Sequence, residues 1–90
     1  MSDLSKVPQF NRLFRLQFEP AQDSFVLLFP EGMVKLNPSA GAILEQVDGD
    51  SSVAGIINKL QSKFPEAGDL TPDVCDFLIT AEEKKWIYYA

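Results

Sequence analysis

The stretch FVLLFPEGMVKLN, Phe25 to Asn37, limits what this chain can fold into more than any other. Five consecutive apolar residues, then Pro30-Glu31-Gly32, then the short run Met33 to Leu36 read as two strands joined by a tight turn. Gly32 supplies the positive φ that most residues resist. An apolar run without alternation is a strand covered on both faces, yet the whole chain has 90 residues. The fold must find cover for the second face of FVLLF, and something must meet the backbone edge of MVKL.

The neighbouring segments supply the first partners. Phe14, Leu16 and Phe18 alternate with Arg15, Gln17 and Glu19, the period of a strand with one wet face. Pro20-Ala21-Gln22-Asp23 is a turn. A three-stranded antiparallel meander with FVLLF in the middle is the economical arrangement. The period then changes to helical. Asn37 is placed to cap a first helix, with Pro38 in its first turn and Ala40, Ile43, Leu44 and Val47 on one stripe, and Asp48-Gly49 is expected to stop it. Ser51 or Ser52 caps a second helix bearing Val53, Ile56, Ile57, Leu60 and Phe64, which Pro65 ends. Thr71-Pro72 is expected to start a third by the same device, with Val74, Phe77, Leu78 and Ala81 facing the core. Gly41 and Gly55 interrupt the first two helices at a cost of about 1 kcal/mol each, for which close helix–helix contact is the expected compensation. Trp86-Ile87-Tyr88-Tyr89 is β-prone and is expected to lie against the sheet as a final strand. Met1 to Arg12 show no period and read as a flexible tail. The expectation is one small α+β domain over residues 13–90, three strands followed by three helices, of the winged-helix kind.

Composition removes several function classes. One cysteine and no histidine exclude Cys/His zinc sites and histidine-based triads. A net charge of −5 opposes phosphate binding, which depends on Lys and Arg. No segment has the length to span a bilayer and no signal peptide is visible, so the expectation is a cytoplasmic protein with no membrane partner. Asp48 and Asp50 flank Gly49, and Asp73 and Asp76 lie near one helical turn apart, but no oxygen-rich loop surrounds them. They read as residues of helix termini, where Asp50 and Asp73 sit near positive dipole ends. Cys75 reads as a small packing residue. No cofactor site, metal site or catalytic residue is expected. DNA binding by a winged helix is the alternative, as is another protein-interaction domain. A recognition helix needs Arg, Lys, Asn or Gln, whereas the third helix carries Asp73, Asp76, Glu82 and Glu83.

One feature of that helix exceeds ordinary core packing. At 100° per residue, Cys75 and Ile79 lie beside the core arc, with Glu82 continuing their row. Set against a short strand edge such as MVKL, this row makes a peptide-sized groove.

The run RLQFEPAQDSFVLLFPEGMVKLN, the DG at Asp48-Gly49 and Asp73-Val74-Cys75-Asp76-Phe77-Leu78 together closely resemble the PqqD family, the peptide chaperones of pyrroloquinoline quinone (PQQ) biosynthesis. The resemblance covers nearly the whole chain after the tail, and VLLFPEGMVKLN is its most specific part. It implies a non-catalytic protein that binds the precursor peptide PqqA and presents it to the radical SAM enzyme PqqE, which joins a Glu and a Tyr of that peptide. Related recognition domains take the leader peptide as an added strand between the third strand and the third helix. On this chain the implied peptide-binding residues are Met33, Val34, Lys35, Leu36, Cys75, Leu78, Ile79 and Glu82. Helices are then expected over one face of FVLLF, and the tail, the C-terminal aromatics or PqqE over the other. An open strand edge also invites self-pairing, so a monomer or a strand-mediated homodimer is expected.

Overall fold

The alternation at Phe14 to Glu19 and the FVLLF run produce the expected meander. In the computed structural model, which describes residues 3–89, a three-stranded antiparallel sheet is formed by β2 (Arg15–Glu19), β3 (Ser24–Phe29) and β4 (Gly32–Lys35), numbered after a short first strand β1 (Pro8–Phe10). Residues 1 and 2 of the expected tail and residue 90 lie outside the described part. The turn before β3 closes through Gln22 N–H to Glu19 O and Asp23 N–H to Pro20 O, at 3.1 and 3.2 Å. Gly32 has the expected positive φ, at +154°. Register places Leu16, Leu27 and Val34 side by side on one face, and Gln17, Val26 and Lys35 on the other.

Helices α1 (Pro38–Glu45), α2 (Val53–Lys63) and α3 (Thr71–Glu83) follow, with a 3-10 turn at Pro65–Ala67 between the last two. The first two begin where a side chain takes an orphan N–H. Asn37 Oδ1 accepts from Ala40 N–H at 2.8 Å, and Ser52 Oγ from Gly55 N–H at 3.1 Å. The third differs from expectation. Thr71 is already helical and no side chain caps the helix from Leu70; instead Asp69 Oδ1 receives the Thr71 N–H at 3.0 Å. The carboxylate two residues earlier does what the hydroxyl was expected to do. Asp69 consequently holds its carboxyl below the usual range, through its hydrogen bonds with Thr71.

Leu27, Leu36, Ile43, Leu44, Val53, Ile56, Leu60, Val74, Leu78 and Ala81 close one core between sheet and helices. Phe64, expected on that face, falls at the C-cap of α2 and stays half exposed. Val26, on the opposite sheet face, is 0% exposed and stands outside this cluster. Its cross-strand neighbours there are Gln17 and Lys35, so the middle strand is covered on both faces as expected. The apolar residues of the chain ends belong elsewhere, Trp86 and Ile87 lying in the helix-side core. Pro8–Phe10, within the stretch read as a tail, pairs with β5 (Ile87–Tyr89) as a separate two-stranded antiparallel sheet, Phe10 opposite Ile87 and Pro8 opposite Tyr89. Phe10 and Tyr89 pack against the helix-side core instead. The apolar C-terminal run finds its strand partner at the other end of the chain and not at an edge of the larger sheet. The N-terminal segment is tied down further: Val53 N–H donates to Lys6 O and Ala54 N–H to Leu4 O, both at 2.9 Å. These two bonds satisfy the first donors of α2.

The two helical glycines are not equivalent. An added Cβ at Gly41 meets Phe25 Cδ2 at 2.8 Å, whereas at Gly55 the nearest contact is Ser52 Oγ at 3.5 Å. The close approach at Gly41 is thus helix to sheet, not helix to helix, and Gly55 has no tight neighbour. Opposite signs are expected on substitution. Gly55→Ala should stabilise by about 0.5–1 kcal/mol, the helix-propensity gain. Gly41→Ala should destabilise by about 1–2 kcal/mol, because overpacking against Phe25 outweighs the same gain. Denaturant melts of the two variants check this.

Candidate functional site

The sheet ends at β4, and the hydrogen-bond parity of that strand decides what its edge offers. Leu36 N–H donates to Phe25 O at 3.1 Å. In an antiparallel ladder such bonded pairs alternate with unbonded ones. With Val34 opposite Leu27 and Gly32 opposite Phe29, residues 32, 34 and 36 direct their N–H and C=O groups to β3. Met33 and Lys35 therefore direct theirs away from the sheet, and neither makes a turn, loop or cap backbone bond among the described residues. The side chains divide in the same way. Leu36 is buried and Val34 packs against the core, while Met33 is 52% exposed and Lys35 is also exposed.

The four α3 residues singled out from the sequence are also brought together, but elsewhere. Cys75, Leu78, Ile79 and Glu82 line one cavity of about 200 Å³ with Asp3, Lys6, Val53 and Tyr89. None of Met33, Val34, Lys35 and Leu36 lines it. Leu78 is a core residue at its floor, and Ile79 is 48% exposed. The Lys6 ammonium lies over the Tyr89 ring, 5.6 Å from its centroid. Burial, reinforced by the negative charge of Glu82 and of a Cys75 thiolate, holds the Tyr89 hydroxyl proton above the ordinary tyrosine range.

The other flank of α3 faces the chain as it leaves β4. Asp73, Val74 and Phe77 line a larger, mainly apolar cavity of about 590 Å³ with Asn37 and Pro38 at the α1 start, Ile43 farther along that helix, and Leu60, Phe64 and Leu70. Phe77 also packs on Trp86, with ring centroids 6.3 Å apart. Sequence reading placed Phe77 in the core and missed this role. The available signal was the spacing 73, 77, 80, 84, which marks the opposite border of the core stripe from 75, 79 and 82.

The remaining sequence candidates are structural. Asp48 Oδ1 accepts from the N–H groups of Asp50 and Ser51 at 2.9 and 2.8 Å. These bonds, that from Asp50 foremost, hold its carboxyl below the usual range. Gly49, at φ +82°, lets the loop approach Gln9, whose Nε2 donates to Gly49 O at 3.2 Å. No group of three or more metal-ligating side chains occurs among the described residues, and no helix there is long and apolar enough to cross a membrane.

Comparison with known proteins agrees with this architecture. The sequence model of the family described as coenzyme PQQ synthesis protein D (PqqD) matches residues 24–87. A PqqA binding protein of Azotobacter vinelandii is 56% identical over 84 residues, covering 93% of this chain and 91% of that one. Its counterpart in Stutzerimonas stutzeri is 51% identical over 84 residues, with the same coverage. The solution structure of the PqqD truncation of Methylobacterium extorquens PqqCD superposes with a TM-score of 0.78 at 29% identity, covering 96% of this chain and 93% of that chain. That protein is described as a functional, stand-alone recognition element for ribosomally synthesized and post-translationally modified peptides. The crystal structure of PqqD from Xanthomonas campestris matches with a TM-score of 0.55 at 30% identity, covering 96% and 97%.

Proposed function

Because the chain belongs to the PqqD family, we propose that it is a non-catalytic carrier of the precursor peptide PqqA in PQQ biosynthesis, presenting that peptide to the radical SAM enzyme PqqE. The observation that carries this reading is the row of outward N–H and C=O groups on Met33 and Lys35. An extended peptide completes that row as a fourth strand of the sheet. Main-chain pairing supplies affinity for many sequences, and alternate side chains supply selectivity. Peptide side chains on the helix side lie beside Val34 and run toward the cavity bordered by Phe77. Those on the opposite side lie beside Met33 and Lys35. Cys75, Leu78, Ile79 and Glu82, on the far flank of α3, are a separate peptide contact in this proposal, apart from the β4 edge. The recognition domain in this proposal is residues 13–90; Leu4, Lys6 and strand β1, within the stretch read as a tail, are bonded to it through α2 and β5.

Titration of a labelled PqqA peptide, with a random DNA duplex as control, tests the reading. Peptide binding near micromolar, about −8 kcal/mol, is expected, since ordering a flexible chain offsets part of the contact energy. Duplex binding that weakens steeply with salt, beside no peptide binding, overturns it in favour of a nucleic-acid module.

A further inference from the structure

The sheet has a second open edge, and its sequence differs in kind from the first. Phe25, Leu27 and Phe29 direct their backbone groups to β4, so Val26 and Leu28 direct theirs to β2. Their partners there are Gln17 and Arg15. The groups of Leu16 and Phe18 consequently point away from the sheet, and neither makes a turn, loop or cap backbone bond among the described residues. Phe18 is 45% exposed although it stacks edge-on against Phe25, with ring centroids 5.2 Å apart.

Strand β2 reads Arg15-Leu16-Gln17-Phe18-Glu19. Laid antiparallel on a second copy with Gln17 on the two-fold axis, it is complementary to itself at every position. Leu16 faces Phe18 of the other copy as a hydrogen-bonded pair, which is what the outward groups of those two residues require. Arg15 faces Glu19 of the other copy as a non-bonded pair, the kind in which side chains come closest. The ion pair occurs twice. Within one chain neither residue has an ion-pair partner among the described residues, where the recorded bridges are Lys59–Asp48 and Lys63–Glu45. Glu19 Oε1 accepts only from Gln17 Nε2, at 2.7 Å. The same operation on β4 sets Lys35 against Met33 and yields no charge pair.

We infer that β2 is a self-association edge, through which two copies join in a continuous six-stranded sheet of order β4-β3-β2-β2-β3-β4. The contact is isologous and closed, so it stops at two copies. Both β4 edges remain free at its ends. The interface is small, which places it in the weak, concentration-dependent class.

Sedimentation equilibrium from about 10 μM to about 1 mM tests this. The parent chain is expected to dimerise toward the upper end, less so as salt rises. Arg15→Glu and Glu19→Arg should each raise the dissociation constant about tenfold, because two attractions become two repulsions. The double exchange should restore it. On the parent itself, amide exchange at Leu16 and Phe18 should slow with concentration, while that at Met33 and Lys35 should not. A parent that stays monomeric throughout, single exchanges without effect, or concentration-dependent protection at Met33 and Lys35 instead each overturn the inference.

Discussion

Val34→Pro should lose about 3 kcal/mol or more of stability, while Lys35→Pro, one residue along, should melt near the parent and lose peptide binding. Proline removes an N–H and fixes φ near −65°. At Val34 the deleted donor is one that faces β3 opposite Leu27, so a carbonyl in the sheet interior loses its partner and the side chain that packs on the core is replaced. At Lys35 the deleted donor faces the open edge, the position at which strands tolerate proline. The fold then keeps its ladder, and the loss falls on whatever pairs with that edge. Peptide affinity should drop about tenfold, one hydrogen bond and the clash of the ring with an incoming strand. Thermal melts and peptide titration of both variants give the result. Parent-like binding by Lys35→Pro removes β4 as the docking line.

The second large contrast separates core from surface. Leu44 is 1% exposed at the centre of the sheet–helix core, and Leu44→Ala should cost about 2–5 kcal/mol through the cavity it leaves. Ile79 is 48% exposed, so Ile79→Asp should leave the melting temperature within a few degrees of the parent. Its effect on peptide binding then tests the walls of the site. If the far flank of α3 contributes, Ile79→Asp weakens binding in a folded protein. If only the Phe77 flank does, Ile79→Asp binds as the parent does and Phe77→Ser, in the apolar cavity, is the variant that fails.

These contrasts also mark where sequence reading stops. The meander was legible because alternation at Phe14, Leu16 and Phe18, and the turn chemistry around Gly32, are local signals. The caps at Asn37 and Ser52 were legible for the same reason. Parity on β4 was not. Whether Val34 or Lys35 faces outward depends on the register with β3, and that is fixed by the bond from Leu36 to Phe25, a contact between strands. The short β1 and β5 were hidden for a related reason, since three residues carry no measurable period and the two strands lie at opposite ends of the chain. The helical stripe of α3 gave its core face correctly. It has two symmetric borders, however, and only the tertiary arrangement assigns Cys75 and Ile79 to the cavity beside Lys6, and Phe77 to the one beside Asn37.

The pairing of β1 with β5 has a mechanical consequence. Because Pro8 lies opposite Tyr89 and Phe10 opposite Ile87, the outer ends of β1 and β5 lie side by side. A force drawing them apart loads this ladder one rung at a time, in the manner of a zipper, and not all rungs together in shear. Three residue pairs in an isolated two-stranded ribbon resist such peeling poorly. On the N-terminal side a pull first meets the bonds that the Ala54 and Val53 N–H groups donate to Leu4 O and Lys6 O, ahead of the ladder. An unfoldase that pulls from the C-terminal side thus meets this protein at a weak seam, apart from the three-stranded sheet.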